Sequence, residues 1–477
     1  MKRTLIALAM LVAMPALAAE ERRTTVADQT ALAVTIYNGD LALVKDARRV
    51  KMGGGESLLA WRDVSAQIQP ETALLRSLDG NRLTLLEQNF DFDLLTPQKL
   101  LEKSVGESVR VIRTQPITGV EFSENATILS ANSGTVLQFG DRVETGSPGR
   151  LAFSAVPAGL RDRPTLSMLV RTDGPEKPFR LPEHGLELSY LTGGLTWKAD
   201  YVAELSSRED RLDLNGWVTL SNTSGTAYPN AQLQLVAGEV NRTPKETMKM
   251  LRAAPMAAAG VAANMHEESL FEYHLYSLDR PTTIGDNQTK QVALLSAQNV
   301  KTGKEYRLYG GDWYYTAQQG DLGKRLKPGV YLEFANRGED LGLPLPKGIV
   351  RVYKKDAAGR AQFIGEDRID HTAKGEMVRL KLGETFDITA DKVQTDFQKL
   401  SGFNTPAGIF ESGYQIEIRN AKTEAVTVKV VETVPGDWQI LQESLPGNKE
   451  SARTIAWQVP VPAAGKTVLS WRVRVRY

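Results

Sequence analysis

The sequence predicts an all-β protein built from several antiparallel β-sandwich domains, with one short helix and one loop rich in Met and Ala. Apolar and polar residues alternate with a period of two in many short runs, most regularly over residues 186–242. Turn-forming residues separate these runs, and the 477 residues include 40 Gly and 22 Pro. A chain of this length has room for two or three domains, each with its own core.

Residues 1–19 predict a cleaved export signal. Lys2 and Arg3 precede an apolar run over residues 5–14, which is too short to span a bilayer, and residues 15–18 have the small-x-small cleavage pattern. The chain has no Cys, so it cannot carry the lipid anchor of a lipoprotein, a disulfide or a thiolate metal site. We therefore expect a periplasmic protein that does not span the membrane once the signal is removed.

The charge balance argues against a nucleic acid partner. The chain has 58 basic and 57 acidic residues, and two of the basic ones lie in the export signal. The mature chain is therefore close to neutral, and no basic stripe is present to neutralise phosphates.

Residues 20–180 predict an N-terminal β domain. Short strand patterns cover residues 32–37, 41–44 and 83–86, and Asn38-Gly39-Asp40 is a hairpin signal between the first two. Further strand patterns cover residues 108–112, 127–129, 136–139 and 165–171. The turn-rich residues 173–178 mark the connection to the next domain.

One short helix interrupts these strands. Thr96 is a suitable N-cap and Pro97 suits the first helical position. Leu100, Leu101 and Val105 form an apolar stripe, and Gly106 suits the left-handed exit of the helix.

Residues 181–330 predict a central β-sandwich domain, and residues 331–477 predict a C-terminal β-sandwich segment. Residues 243–269 shift abruptly to Ala and Met, which indicates a long loop between two strands of the central domain. Near the C-terminus, Arg472 and Arg474 alternate with apolar residues, and we expect them to pair across the sheet with acids such as Glu417.

The central stretch carries a motif of Trp197 and Tyr201 after a Gly-rich turn, then Asn222 and Gly225, then Asn230 before a further strand. This pattern resembles domain-of-unknown-function family 4139, the bacterial domain found in mucoidy-inhibitor-like envelope proteins. The resemblance extends from about residue 186 to residue 477. It implies a β-sandwich-like envelope protein and supplies no catalytic residue.

The strongest candidate for ligand binding is a cluster of aromatic residues, Tyr306, Tyr309, Asp312, Trp313 and Tyr315. Aromatic faces can stack on sugar rings while polar neighbours bond hydroxyl groups, and glycans are abundant in the envelope. The alternative is that these rings pack across two strands at the edge of a sheet.

Metal and cofactor sites are not predicted. Met248, Met250, Met256 and Met265 offer soft ligands of the kind that bind Cu(I), but their spacing is irregular. His266 and His274 lack the spacing of a helical zinc motif.

The sequence therefore predicts a non-catalytic binding or structural module of the periplasm, with an envelope glycan or an envelope protein as its partner. The alternative is an envelope hydrolase whose site is assembled from dispersed Asp and Glu residues. Asp91 and Asp93 are one such pair of carboxylates, although a solvated strand face also explains them.

Overall fold

The computed structural model describes residues 21–132, 134–157, 159–174, 181–238, 240–241, 265–338, 341–400 and 408–477. The chain forms two compact units. Unit 1 comprises residues 1–196, 221–236 and 280–289, and unit 2 comprises residues 197–220, 237–279 and 290–477. The chain therefore passes between the units several times, and each unit is described below by itself.

The strands before the region of family resemblance are β1 (Glu21–Thr24), β2 (Gln29–Tyr37), β3 (Leu41–Lys51), β4 (Gly55–Arg62), β5 (Leu74–Ser77), β6 (Leu83–Asp91), β7 (Ser108–Thr114), β8 (Glu121–Ser130), β9 (Val136–Gln138), β10 (Val143–Thr145), β11 (Arg150–Ala152) and β12 (Thr165–Thr172). Among the described residues the one α-helix, α1, is Pro97–Lys103, and short 3₁₀ helices cover Val26–Asp28, Pro70–Thr72 and Trp313–Tyr315.

The later strands are β13 (Glu183–Thr192), β14 (Leu195–Leu205), β15 (Arg211–Asn222), β16 (Tyr228–Ala237), β17 (Met265–Leu270), β18 (Tyr273–Leu278), β19 (Thr282–Ile284), β20 (Gln288–Tyr309), β21 (Asp321–Leu326), β22 (Gly329–Ala335), β23 (Gly348–Lys355), β24 (Ala361–Ile369), β25 (Met377–Glu384), β26 (Ile388–Lys399), β27 (Ile409–Asn420), β28 (Val426–Thr433), β29 (Asp437–Glu443), β30 (Gly447–Lys449), β31 (Thr454–Val461) and β32 (Gly465–Arg476).

Unit 1 contains three sheets. One has the order β1-β4-β12-β6, with β1 and β4 parallel. A second places β16, β2, β3, β13 and β5 side by side, with β16 parallel to β2 and β19 beside β16. In β13 buried residues alternate with more exposed ones, as the period of two requires. In β4 and β12 consecutive residues are buried, such as Leu59, Ala60 and Trp61, so these strands are covered on both faces.

The third sheet of unit 1 forms an inserted module between β6 and β12. Its strand order is β10-β9-β8-β7-β11, all antiparallel, and α1 packs with it. The module has its own small core of buried residues, namely Leu101, Val109, Val111, Ala126, Ile128, Ala131, Leu137 and Phe139.

Unit 2 is organised around the long strand β20. One sheet runs β24-β23-β14-β15-β20-β28-β31-β30; β22 also pairs with β20, and β25 pairs with β22. The C-terminal half of β20, with β28 and β31, packs on a second sheet of order β21-β26-β27-β32-β29. The core between these sheets is rich in β-branched and aromatic side chains, including Trp457 and Trp471. Each strand points every second side chain into this core, so apolar and polar residues alternate along its sequence.

The all-β, multi-sheet fold with one short helix is confirmed. Thr96 caps α1 by accepting a hydrogen bond from Lys99 N, and Gly106 has a φ of +89°, as the sequence predicts. The prediction that Val105 continues the apolar stripe of α1 is wrong, because Val105 follows the end of the helix and is exposed. The turn at Asn38-Gly39-Asp40 also forms, with positive φ at Gly39 and Asp40.

The predicted Met- and Ala-rich loop is only partly described. Residues 243–264 lie outside the described residues, as do the predicted export signal at residues 1–19 and most of the predicted connection at residues 173–178. The prediction of a loop is wrong for its last residues, because Met265–Leu270 forms strand β17 and pairs with β18. The division into domains at residues 180 and 330 stays a prediction.

Candidate functional site

The structure separates the aromatic cluster into buried and exposed residues. Tyr306 and Tyr315 are buried in the core of unit 2, so their ring faces are not available to a ligand. Tyr309 is half exposed, Asp312 is exposed, and the Trp313 side chain is 59% exposed. Only part of the predicted platform therefore lies at the surface.

Tyr309 and Trp313 occupy different surroundings. Tyr309 is the last residue of β20 and packs edge-on against Tyr331, with ring centroids 6.3 Å apart. Arg307 lies over the Tyr331 ring and donates to Tyr309 Oη at 3.3 Å. Tyr309 thus belongs to a small aromatic and charged patch on β20 and β22.

Trp313 begins a single 3₁₀ turn that follows two glycines. Gly310 N donates to Val431 O at 2.8 Å, and a Cβ on Gly310 would lie 2.1 Å from Glu432 Oε2. Only glycine lets the backbone pass this close to a buried carboxylate. The turn is therefore fixed to β28 immediately before Trp313 projects outward.

The two residues after Trp313 point inward and bind a buried carboxylate. Tyr314 and Tyr315 both donate to Glu432 Oε2, the latter at 3.0 Å. Lys392 Nζ donates to Glu432 Oε1 at 2.6 Å and also contacts Tyr314 Oη. We call these four residues the ionic anchor.

The ionic anchor is held in an almost completely dry environment. The Lys392 and Glu432 side chains are 4% and 1% exposed. Lys392 Nζ lies 4.1 Å from the Tyr314 ring centroid and 5.4 Å from that of Trp471, so aromatic faces surround the cation. Neither side chain of this ion pair is open to a solute.

Burial controls the protonation of the groups in this region. It lowers the pKa of Lys392, although the Glu432 carboxylate acts in the opposite direction. Burial and the Glu432 charge raise the pKa of Tyr314 and Tyr315 well above the usual range, and burial raises the pKa of Tyr414 to about 12. The three phenols therefore stay neutral donors.

Backbone clamps complete the support of the turn. Tyr414 Oη donates to Tyr314 O at 3.0 Å. Gln394 Nε2 donates to Ala317 O at 3.2 Å, while Gln394 Oε1 accepts from Gln319 N at 2.5 Å. The chain from Gly310 to Gln319 is thus hydrogen-bonded on its inner side by β26, β27 and β28.

On the outer side, three exposed residues accompany Trp313. Asp312 forms an ion pair with Arg453 at 3.2 Å, and the Trp313 ring packs edge-on against Tyr314. Partial burial and the nearby Asp312 carboxylate raise the pKa of Tyr477, which places its phenol in the same region. We call Asp312, Trp313, Arg453 and Tyr477 the Trp313 surface.

Sequence reasoning missed Arg453, Tyr477 and the ion pair of the anchor. Arg453 and Tyr477 are far from residue 313 along the chain, and no local pattern joins them. Lys392 and Glu432 did leave a signal: each is a charged residue at an inward position of an alternating strand, in phase with Ala390 and Val430.

The residues of the family motif have structural roles. Tyr201 is fully buried and donates to Pro346 O at 2.8 Å, and Trp197 packs in the core. Asn222 donates to Thr226 O and Gly285 O, which closes the turn at Gly225. Gly225 and Asn230 have φ of +80° and +47°, a region that favours Gly and Asn.

The other candidate residues do not assemble into a site. Asp91 binds Arg161 and Ser167, whereas Asp93 binds Lys103 and Lys99, so the two carboxylates are engaged with different partners. Near the C-terminus, Arg472 pairs with Asp396 and Arg474 pairs with Glu411. The predicted pairing of these arginines with Glu417 is wrong, because Glu417 forms ion pairs with Lys466 and Arg419.

The metal-ligand candidates are equally dispersed. Met265 is buried, while His266 is exposed and lies 3.3 Å from Asp279. His274 contacts Glu267 at 2.8 Å across the β17–β18 pair. Met248, Met250 and Met256 lie outside the described residues. Within the described ranges, no group of three or more His, Asp or Glu side chains is arranged to hold a metal ion.

The described part of the chain has no helix that is both long and apolar enough to cross a membrane. No curated protein matches the chain. The family model of the domain of unknown function DUF4139 matches residues 186–477, which include all of unit 2 and the whole Trp313 surface. The chain therefore belongs to the DUF4139 family.

Proposed function

We propose that this protein is an exported, non-catalytic binding module of the bacterial envelope, and that the Trp313 surface is where it contacts an envelope glycan. The export signal at residues 1–19 supports the location. The observation that carries the binding proposal is an exposed tryptophan held in place by a buried anchor.

A rigid support favours binding by an exposed ring. A tryptophan whose backbone is already fixed loses little conformational entropy when a ligand stacks on it. The Asp312–Arg453 pair beside the ring offers one acceptor and several donors for sugar hydroxyl groups. Tyr477 adds a second aromatic side chain with a neutral hydroxyl group.

A non-catalytic role agrees with the chemistry of the surface. The ionisable groups of unusual pKa, Lys392, Tyr314 and Tyr315, lie beneath the turn and are closed to solutes. The exposed carboxylate, Asp312, is neutralised by Arg453, which suits hydrogen bonding better than general acid catalysis.

The test is co-sedimentation of the purified mature protein with isolated cell-wall sacculi and with envelope polysaccharide. The substitution Trp313→Ala should lower the affinity for glycan by about tenfold, which corresponds to about 1.4 kcal/mol. Its effect on the free energy of unfolding should be below about 0.5 kcal/mol, because the side chain is exposed.

Phe386→Ala is the matched control. Phe386 is 88% exposed, belongs to the same unit and lies in the turn between β25 and β26. The Phe386→Ala variant should bind glycan with the same affinity as the unaltered protein. Equal pelleting of Trp313→Ala and Phe386→Ala would rule out this surface, and release of soluble fragments from the sacculi would favour the hydrolase alternative. A protein that stays in the supernatant would point to a protein partner.

A further inference from the structure

The inserted module of unit 1 contains an apolar cleft that lies outside the DUF4139 match. The cleft runs between α1 and the chain that follows β11, and its volume is about 550 Å³. This volume lies within the range of roughly 300 to 1,000 Å³ that is typical of small-molecule sites. The cleft is independent of the Trp313 surface, both in sequence and in unit.

The walls of the cleft are built from apolar side chains that the module's own core does not cover. Leu100 and Leu151 are half buried, and Phe153 packs on the edge of the core. Leu95 and Val156 remain 41% and 54% exposed. Apolar side chains gathered in one concave surface are typical of a site that an apolar ligand covers.

The charge of the cleft restricts the ligand further. None of the described residues that line it is charged, and its polar groups, such as Gln98 and Ser147, are neutral. The nearby lysines of α1 are already paired: Lys99 with Glu102, and Lys103 with Asp93. An anionic group would find no unpaired cation among these residues. The Gln98 amide nitrogen already donates to Glu102 and to Ala131 O, and Ser147 Oγ donates to Gly149 O, so these two side chains offer their oxygens as acceptors to an uncharged hydroxyl group.

We propose that this cleft binds one acyl chain of a single-chain lipid with an uncharged head group. The apolar walls take the chain, and the neutral amide and hydroxyl groups face the head. When the acyl chain covers the Leu95 and Val156 side chains, the burial of apolar surface contributes to the free energy of binding, at about 25 cal/mol per Å².

The experiment uses the full mature protein and the uncharged fluorophore N-phenylnaphthylamine, whose emission rises in an apolar site. Monooleoylglycerol should displace the fluorophore. The substitutions Leu95→Glu and Val156→Glu place carboxylates in the mouth of the cleft, and each should weaken binding of monooleoylglycerol by at least about tenfold.

Val143→Glu is the matched control, since Val143 is an exposed apolar residue of β10 in the same module and does not line the cleft. It should bind monooleoylglycerol within about twofold of the unaltered protein, a difference below about 0.5 kcal/mol. Circular dichroism spectra that match for all three variants would show that the module stays folded.

Two results would overturn the proposal. One is failure of monooleoylglycerol to displace the fluorophore or to bind directly by calorimetry. The other is equal binding by Leu95→Glu, Val156→Glu and Val143→Glu, which would place the lipid elsewhere. The glycan pelleting experiment tests the Trp313 surface of unit 2, so its result does not affect the lipid proposal, which concerns unit 1.

Discussion

The two units each bury an ion pair, but they use it differently. In unit 1, Asp46 and Arg48 lie two residues apart on β3, with Arg48 Nη2 and Asp46 Oδ2 2.7 Å apart. Trp61 Nε1 donates to the same carboxylate at 3.0 Å, and Arg48 Nη2 donates to Arg62 O at 2.8 Å, so the pair joins β3 to β4. In unit 2, Lys392 and Glu432 come from two different sheets and hold a surface turn.

This difference suggests that the position of a buried ion pair matters more for function than its burial. Both pairs lost similar hydration on folding, and removing one partner leaves the other charge unpaired in each case. The Asp46–Arg48 pair links framework strands only. The Lys392–Glu432 pair shares its carboxylate with Tyr314 and Tyr315, so its loss reaches the surface residue Trp313.

The largest expected effects come from Asp46→Ala and Glu432→Ala. Each should lower the free energy of unfolding by about 3 to 5 kcal/mol, because Arg48 or Lys392 is left as a buried unpaired cation. Only Glu432→Ala should also weaken glycan binding, since it releases the turn. Urea unfolding and sacculi pelleting, both performed where the variants remain folded, measure the two effects.

Glu424→Ala is the control for this pair of substitutions, because Glu424 is a largely exposed carboxylate of the same unit. It should change the free energy of unfolding by less than about 1 kcal/mol. Full glycan binding by folded Glu432→Ala would break the comparison, since the two ion pairs would then be equivalent.

A second expected effect is loss of stability at alkaline pH. In both units, buried tyrosines have pKa values raised above 10: Tyr228 of unit 1 and Tyr414 of unit 2 both to about 12. Above pH 10 the unfolded chain loses these protons while the folded chain keeps them. Each tyrosine therefore contributes stability that is complete below pH 10 and falls by about 1.4 kcal/mol per pH unit up to its folded pKa.

Lys392 has the opposite effect on the pH dependence, because its pKa is lower in the folded protein than the value of 10.5 expected in the unfolded chain. Its contribution therefore makes the free energy of unfolding rise with pH until the lysine of the unfolded chain also loses its proton. Thermal melts at intervals above pH 9 should thus show a steep decline beginning near pH 10. Tyr414→Phe and Tyr228→Phe should each make the decline shallower. An unchanged slope in both variants would contradict the assigned directions of the pKa shifts.

The smallest expected effect belongs to the surface ion pair Asp312–Arg453. Asp312→Asn should alter the free energy of unfolding by less than about 1 kcal/mol, because the pair is exposed to water and salt. Glycan affinity should fall by about twofold to fivefold through loss of the charged acceptor. Glu121→Gln, which breaks the exposed Arg150–Glu121 pair of unit 1, should leave glycan affinity unchanged in the same pelleting assay.

The fold was largely predictable because its signals are local. Alternation identified strands such as β14 and β15, and the cap at Thr96 with Gly106 identified α1. The strand β17 was missed because Met265-His-Glu-Glu-Ser-Leu270 has no clear alternation, and its pairing with β18 supplies the structure that its own sequence does not specify.

The candidate site was predictable only in part. Trp313 stood out because aromatic residues are concentrated around it, but the same pattern gave no reason to separate exposed Trp313 from buried Tyr315. That separation depends on Glu432, which is 117 residues from Tyr315 along the chain. Pairing errors at Arg472 and Arg474 have a similar cause, since strand register, not composition, decides which acid lies opposite each arginine.

The way the inserted module joins unit 1 has a consequence for how such a chain can change. The segments that enter and leave the module are hydrogen-bonded to each other, with Leu95 N donating to Arg161 O at 2.7 Å and Arg161 N donating to Asp93 O at 2.9 Å. Its two ends are therefore neighbours, and a short turn could reconnect them. Deletion or exchange of the whole module is then a single local event, so the proposed lipid site could be lost, gained or replaced while β6 and β12 stay paired in their sheet.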